Sequence, residues 1–441
     1  MSSPLERRMQ EALEERQEKG SLRRLPADPS LDGSLTDAPD FSSNDYLGFS
    51  HNGYLNTHQH QKRADQNEDI ERSGSTGSRL LAGDSPQFHR LEQRLAAWHG
   101  VPYGLLCNSG YDANLSVVSC LAADIIFYDA YIHNSLHMGI RLWKGASCDT
   151  ARTAHSFRHN SVPELERLFK KEIQRKENKS SLVVTVLIES VYSMDGDIAP
   201  VRAILDLAAQ YGAHVVVDEA HGWGVLGQPK GLGALEDHGS LMHHPALAYA
   251  IYTYGKAAGA HGAFIGCPNR TARDYLVNYA YPFIYSTALP DHSLRCIEQA
   301  YETLDSPYGV RMRHHVQELI AYFRSELGPF LLSQLHDPQR TADTSIRLLP
   351  STTPIQALLV PGNAACTQLC HDVLHQDGMR LFPIKSPTVP VGMERVRIIL
   401  HGHNTKAQVA RLVLSLQAAL LRLQVGSVRS HEAARPSRSK L

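Results

Sequence analysis

The chain has 441 residues, 42% of them hydrophobic, enough to bury a sizeable core and to divide into one large and one smaller domain. Its 44 basic and 45 acidic side chains leave a formal net charge of -1, which gives no field to draw in nucleic acid or an anionic membrane. No run approaches the roughly 20 apolar residues that cross a bilayer, and the opening MSSPLERRMQEALEERQEKG is too charged for a secretory leader. A soluble, non-secreted protein with neither a nucleic-acid nor a membrane partner is therefore expected.

Residues 4 to 24 read as an amphipathic helix with Leu5, Met9 and Leu13 on one stripe, set to pack on the body or on a second subunit. The turn-rich stretch 26 to 40 is a connector that leads into FSSNDYLGFS. From about residue 86 helix-like and strand-like segments alternate: FHRLEQRLAAWHG, YGLLCNSG, ANLSVVSCLA, DIIFYD, VPELERLFKKEIQRK, LVVTVLIES, VRAILDLAAQYG, HVVVDEA and ALAYAIYTYG. Such alternation predicts an α/β fold with a mostly parallel central sheet and helices on both faces. After Pro290 a long helix, SLRCIEQAYETL, opens helices and short strands that fit a smaller C-terminal α+β domain. The expected divisions are 1–50 for the N-terminal helix and connector, 51–290 for the large domain, 291–425 for the small domain and 426–441 for a disordered tail.

That tail, GSVRSHEAARPSRSKL, is polar, basic and too poor in apolar residues to fold. It ends in Ser439, Lys440 and Leu441, the tripeptide that a peroxisomal import receptor reads. A peroxisomal location, otherwise a cytoplasmic one, is expected. Seven cysteines lie scattered with no CxxC pair; Cys366 and Cys370, one helical turn apart beside His371 and His375, read as packed free thiols in a reducing compartment, with no structural metal.

Chemistry concentrates where strand-like runs end. VVVD terminates in Asp218, His221 follows in the loop, and IYTYGKAAG sets Lys256 among small residues after another apolar run. Singly, each is commonplace: a strand ending in an acid, a structural histidine, a solvated lysine. Together, at the carboxyl ends of parallel strands, they match the needs of pyridoxal 5'-phosphate: an anion for the ring nitrogen, a donor for the phenolic oxygen and an amine to anchor the aldehyde. Ser109, Gly110 and Tyr111 open a helix whose first N–H groups suit a phosphate. His133 follows DIIFYD, where an imidazole can stack on an aromatic ring. Ser193, in the turn after Glu189, offers a hydroxyl near His221, while Ser286 and Thr287 beside Pro290 offer donors to a phosphate. The glycine- and serine-rich GSTGSRLLAG packs small-residue turns around Arg79 and lets backbone approach a ligand. Arg395 and Arg397 share one face of a late strand, and one of them suits a bidentate clamp on a substrate carboxylate.

NDYLG, GSTGSRLLAG, SGYDAN, HNSLHMG, FRHN, ESVYSMDGD, VDEAHGWGVLG, YGKAAGAHGA, FIYSTALP and PTVP follow in the order seen in the α-oxoamine synthases, and the chain resembles that family over roughly residues 10 to 420. The resemblance implies a fold-type I pyridoxal phosphate enzyme, an acyltransferase acting on an amino acid and an acyl-CoA. It implies Lys256 as the cofactor's anchor, Asp218 as the partner of its ring nitrogen, His221 with Ser193 as donors to the phenolic oxygen, and His133 as the stacking residue. Ser109, Gly110, Tyr111 and Thr253 then serve the phosphate and ring edge. Ser286 and Thr287 complete the phosphate site from a second subunit, so the resemblance implies a homodimer. Asn44, Arg397 and Arg23 match positions that meet substrate. Ala263, where other branches carry a second glycine, points to the branch that makes 8-amino-7-oxononanoate from L-alanine and pimeloyl-CoA, a step of biotin synthesis. HNSL in place of HASI and FRHNS without the usual acid depart from the family pattern around the acyl-CoA pocket. The rival expectations are an α-oxoamine synthase of secondary metabolism that takes another acyl thioester, and a non-catalytic partner subunit.

Overall fold

The computed structural model describes residues 3–19, 22, 39–51, 73–146, 152–174, 182–237, 241–334, 345–386 and 388–433. The expected roles of Arg23 and of the terminal Ser439, Lys440 and Leu441 fall outside these residues.

The large sheet contains β1 (Tyr103–Cys107), β2 (Ile125–Asp129), β3 (Thr153–Phe157), β4 (Val184–Glu189), β5 (His214–Asp218), β6 (Leu247–Thr253) and β7 (Ala263–Cys267), in the order β1-β7-β6-β5-β4-β2-β3. The run from β6 to β3 is parallel, and β7 lies antiparallel to both of its neighbours. This is the mostly parallel α/β sheet expected. Its central strands are continuous apolar runs because both faces are covered: in β5, Val215 and Val217 enter one core while Val216 enters the other. Helices Gly110–Ser119 and Asn134–Gly145 supply Val117, Leu136 and Ile140 to one face. Helices Pro86–Trp98, Val162–Gln174 and Val201–Gln210 supply Leu91, Leu165 and Leu205 to the other.

A second, antiparallel sheet of β8 (Arg347–Leu348), β9 (Ile355–Leu359), β10 (Phe382–Ile384) and β11 (Arg395–Ile399) takes the order β10-β11-β9-β8. Helices Pro307–Gln334, Asn363–Asp377 and Lys406–Ala433 accompany it. Helix Asp291–Asp305 bridges the two parts, since it packs on both Pro86–Trp98 and Pro307–Gln334. Tyr301 on it meets His99 at 2.6 Å.

Two features differ from the sequence reading. The first helix runs only Pro4–Glu18, opened by a capping box in which Ser3 and Glu6 bond each other's backbone N–H, and none of its residues is buried; Leu5, Met9 and Leu13 are 64%, 56% and 49% exposed. The segment FSSNDYLGFS, grouped with the connector, is core: Phe41, Tyr46, Leu47 and Phe49 are buried. Ile399 N–H donates to Phe41 O and Gly402 N–H to Tyr46 O, at 2.8 Å each, so this segment joins the large domain to the end of β11.

Candidate functional site

Parallel register puts the chemistry at one edge. Glu189 of β4 pairs with Asp218 of β5, Asp218 with Ile251 of β6, and Thr253 ends β6. These strand ends, the loop carrying His221 and the turn carrying Lys256 enclose a cleft of about 270 Å³. Ser109, Gly110, Tyr111, Asn114, His133, Glu189, Asp218, His221, Thr253, Lys256 and His261 are among the residues that line it.

Asp218 is buried at the cleft floor. Its two carboxylate oxygens accept from Asn114 Nδ2 at 2.7 Å and from the Ala220 N–H at 2.8 Å. Asn114 gives its other amide hydrogen to Ser135 Oγ at 2.9 Å, and Ser135 in turn bonds His133 Nδ1, 2.8 Å from its hydroxyl and 3.3 Å from its N–H. That arrangement makes Nδ1 of His133 an acceptor and leaves the proton on Nε2. Burial, opposed by the charge of Asp218, holds the His133 pKa below the ordinary value. Glu189 beside it is also buried; desolvation, then the Asp218 charge, drives its pKa far up.

Lys256 lies in the turn from β6 to β7, where Tyr254 N–H bonds Gly262 O and Ala260 N–H bonds Tyr254 O, at 2.9 Å each. Desolvation, opposed by Asp218 and Glu189, brings its amine down to about 8. Nζ lies 2.7 Å from His221 Nε2. Burial first, and the neighbouring Lys256 charge second, hold His221 well below its ordinary pKa and therefore neutral. Behind it, Tyr46 Oη lies 2.5 Å from His221 Nδ1 and 3.2 Å from Asn44 Oδ1. Arg397 donates to that same Asn44 oxygen at 2.8 Å.

On the other wall, Ser109 N-caps the helix Gly110–Ser119 by accepting from the Asp112 N–H at 3.1 Å. The first-turn N–H groups of Gly110 and Tyr111 have no intrahelical acceptor. A Cβ on Gly110 would lie 2.8 Å from Thr253 Cβ, so glycine lets the helix start close against the end of β6.

Other expected residues lie elsewhere. Ser193 is half-buried in the turn after β4 and is not among the cleft-lining residues. Ser286 faces a different, smaller recess with Arg79 and Asn108, and Thr287 is exposed. Arg79 itself is held by Asp84 and Glu92 at 2.6 and 2.7 Å over the Phe88 ring, so the small-residue turns serve packing there. Of the two strand arginines, Arg395 is buried and paired with Asp195, which leaves Arg397 for the Asn44 side. Asn114 and Tyr46 went unassigned in the sequence, although both stand inside its motifs. Among the described residues, Asp40, His401 and His403 also bring metal-type donor atoms within 4.8 Å of one another. His401 uses both ring nitrogens on Ser43 and Asn404, and Asp40 bonds Ser42 and Ser43, as suits a packed joint.

The cleft fits the expected cofactor. A flat cationic ring with an anionic arm needs a buried anion, a covering aromatic face, an amine and a helix start on one cavity, and all four are present. The buried Oδ1 of Asn114 and Oε1 of Glu189, which lack partners among the described residues, mark polar positions that a ligand would satisfy.

The description "aminotransferase class I and II" belongs to the family whose model matches residues 36–416. An 8-amino-7-oxononanoate synthase of Emericella nidulans is 35% identical, over 94% of this chain and 96% of that one. One of Cellvibrio japonicus is 34% identical with the same coverage. Among solved structures, serine palmitoyltransferase of Sphingomonas wittichii superposes with a TM-score of 0.76 at 23% identity, covering 96% of this chain and 100% of that one. An 8-amino-7-oxononanoate synthase of Francisella tularensis gives 0.64 at 22%, covering 88% and 98%. These two structures share its fold.

Proposed function

Because this chain belongs to the aminotransferase class I and II family, and within it to the α-oxoamine synthases, we propose that it condenses L-alanine with pimeloyl-CoA, releasing CoA and CO2 and giving 8-amino-7-oxononanoate for biotin synthesis. The observation that carries this reading is one cleft that joins the Lys256 amine to the buried Asp218 carboxylate, in a chain similar to such synthases along nearly its whole length.

Pyridoxal 5'-phosphate, when bound, supplies the electron sink for the carbanion formed at the alanine Cα. Lys256 would anchor it, Asp218 would face its ring nitrogen, His133 would cover the ring, and His221, which lines the cleft where Ser193 does not, would serve its phenolic oxygen. Ser109, Gly110, Tyr111 and Thr253 would hold the phosphate side, joined by Ser286 and Thr287 of a second copy of the chain in a homodimer.

With the amino acid bound, Lys256 Nζ would be the base for the Cα proton, and an amine brought down to about 8 suits proton transfer near neutral pH. Asp218 would face the ring nitrogen with its carboxylate held in place by two donors, Asn114 Nδ2 and the Ala220 N–H. Arg397, beside Asn44, takes the alanine carboxylate until it leaves as CO2. Nε2–H of His133 is a donor at the cleft wall for the thioester side. The terminal Ser439-Lys440-Leu441 would direct the enzyme to the peroxisome through its import receptor, where chain-shortened acyl-CoA arises.

The test is CoA release with alanine, glycine and serine against pimeloyl-CoA, succinyl-CoA and palmitoyl-CoA. Alanine with pimeloyl-CoA should give the highest kcat/KM, and Lys256→Ala should abolish both turnover and the visible absorbance of the bound cofactor. Preference for glycine with succinyl-CoA would overturn the substrate assignment.

A further inference from the structure

Hydrogen-bond partners run without a gap from Lys256 Nζ to His221 Nε2 at 2.7 Å, from His221 Nδ1 to Tyr46 Oη at 2.5 Å, from Tyr46 Oη to Asn44 Oδ1 at 3.2 Å, and from there to Arg397 at 2.8 Å. Tyr46 is fully buried and His221 nearly so, so water does not compete for these contacts. The line begins at the amine proposed to anchor the cofactor and ends at the pair proposed to receive the substrate carboxylate.

Donor counting gives this line two directions. A neutral imidazole has one N–H, a phenol has one O–H, and an amide oxygen only accepts. While the Lys256 amine is free and protonated, it donates to His221 Nε2. The imidazole proton then sits on Nδ1 and is given to Tyr46 Oη, and the tyrosine hydroxyl is left to donate to Asn44 Oδ1. Once the amine is tied to an aldehyde it no longer supplies that donor, and an acceptor oxygen beside it calls for a proton on Nε2. Nδ1 then becomes an acceptor, and the Tyr46 hydroxyl turns from Asn44 to His221. The imidazole carries one proton throughout, leaving Nδ1 and arriving at Nε2 by exchange with solvent, so no net proton is gained or lost.

We propose that Tyr46 is a positioning residue whose hydroxyl reverses between Asn44 and His221 according to whether the Lys256 amine is free, so that His221 presents Nε2–H to the cleft only in the loaded enzyme. In the loaded state Asn44 Oδ1 is released by Tyr46 and bound by Arg397 alone. The carboxylate-binding pair is therefore freest to rearrange when there is a cofactor for the amino acid to react with. The proposal rests on the cofactor-anchoring role given to Lys256 above.

The test is nitrogen NMR of the full-length protein labelled with 15N-histidine, with His221 identified as the signal lost in His221→Asn, before and after loading with pyridoxal 5'-phosphate. The native protein should move from the Nδ1–H to the Nε2–H tautomer on loading. Tyr46→Phe, which takes away the group that meets Nδ1 in either state, should reduce that movement and change KM for alanine more than kcat, by roughly 2- to 10-fold for one hydrogen bond. Asn44→Ala, which leaves the Tyr46 proton only His221 Nδ1 to bond, should raise the Nε2–H share in the cofactor-free protein and leave the loaded form unchanged, a reading that stands even if Tyr46→Phe fails to fold. An unchanged tautomer in native protein whose absorbance shows that the cofactor is attached overturns the switch and leaves the functional reading intact. Failure of the cofactor to attach at all overturns both.

Discussion

Lys256 is held between opposing influences: burial lowers its pKa and the Asp218 and Glu189 charges raise it, with a balance near 8. Only the unprotonated amine attacks an aldehyde. The rate at which cofactor-free protein captures pyridoxal phosphate should therefore rise about tenfold per pH unit below that value and level off above it. Stopped-flow absorbance reads this directly, and a flat profile from pH 6 to 9 would mean the amine is already neutral throughout. Asn114 allows a second expectation at this scale. Asn114→Leu removes the side-chain donor to a buried carboxylate, a bond worth about 1.5 to 3 kcal/mol, so cofactor affinity in an equilibrium titration should fall roughly 10- to 100-fold. Asp218 and Lys256 were legible in the sequence because each follows an apolar run. Asn114 was not: it is a polar residue one turn inside a helix, and its role exists only once the ends of that helix and β5 meet. Tyr46 was hidden for the same reason, its partner His221 lying 175 residues away.

Among the elements, the turn after β4 joins the two domains. Gly196 takes φ +73°, and a Cβ there would lie 2.2 Å from Ile355 O. Its carbonyl accepts from the Ser351 and Thr353 hydroxyls at 2.9 Å each, Asp195 pairs with Arg395, and Asp197 bonds His159 at 2.7 Å. Gly196→Ala combines left-handed strain with a backbone clash and should cost about 2 to 4 kcal/mol, read as a lower urea midpoint. Burial opposes the charge on His159, but its bonds to Asp129 and Asp197 outweigh it and raise the pKa to about 9. A raised histidine stabilises fully below its unfolded value near 6.5 and loses that contribution as pH climbs through the folded value. Native protein should therefore lose stability between about pH 6.5 and 9, and His159→Gln should lack that slope in urea titrations at successive pH values. The MDGD motif was visible in the sequence as a turn, but not as a joint, since its partners come from the loop into β9, from β11 and from the loop after β3. Strand β3 itself, TAHSF, gave no signal because its residues, apart from Phe157, are at most half-buried at the sheet edge; β4 and β5 were plain because they are buried throughout or nearly so.

For the whole molecule, the residues that one copy leaves exposed are the informative ones. Thr287 is exposed and Ser286 turns away from the cleft that holds Lys256, while Tyr281, Tyr285 and Leu81 around them are 66%, 77% and 80% exposed. The Leu5, Met9 and Leu13 stripe is likewise uncovered. Exposed aromatic and aliphatic surface of this kind fits the isologous interface proposed above, in which each copy would lend its Ser286 and Thr287 to the other's cleft. Periodicity and motif order made the sheet and the cleft legible, but sequence alone could not say which face a second copy would cover. Mixing defective chains decides it. Lys256→Ala should be inactive alone, and Ser286→Ala with Thr287→Ala should be nearly inactive when cofactor is scarce. In a mixed dimer, the chain that keeps Lys256 receives intact hydroxyls from its neighbour, so one of two clefts is whole. Co-expression of the two variants should restore roughly a quarter of native activity under that limiting cofactor, as random pairing of two chains requires. If the hydroxyls instead serve their own chain, co-expression restores nothing, because no single chain then has both the amine and its phosphate donors.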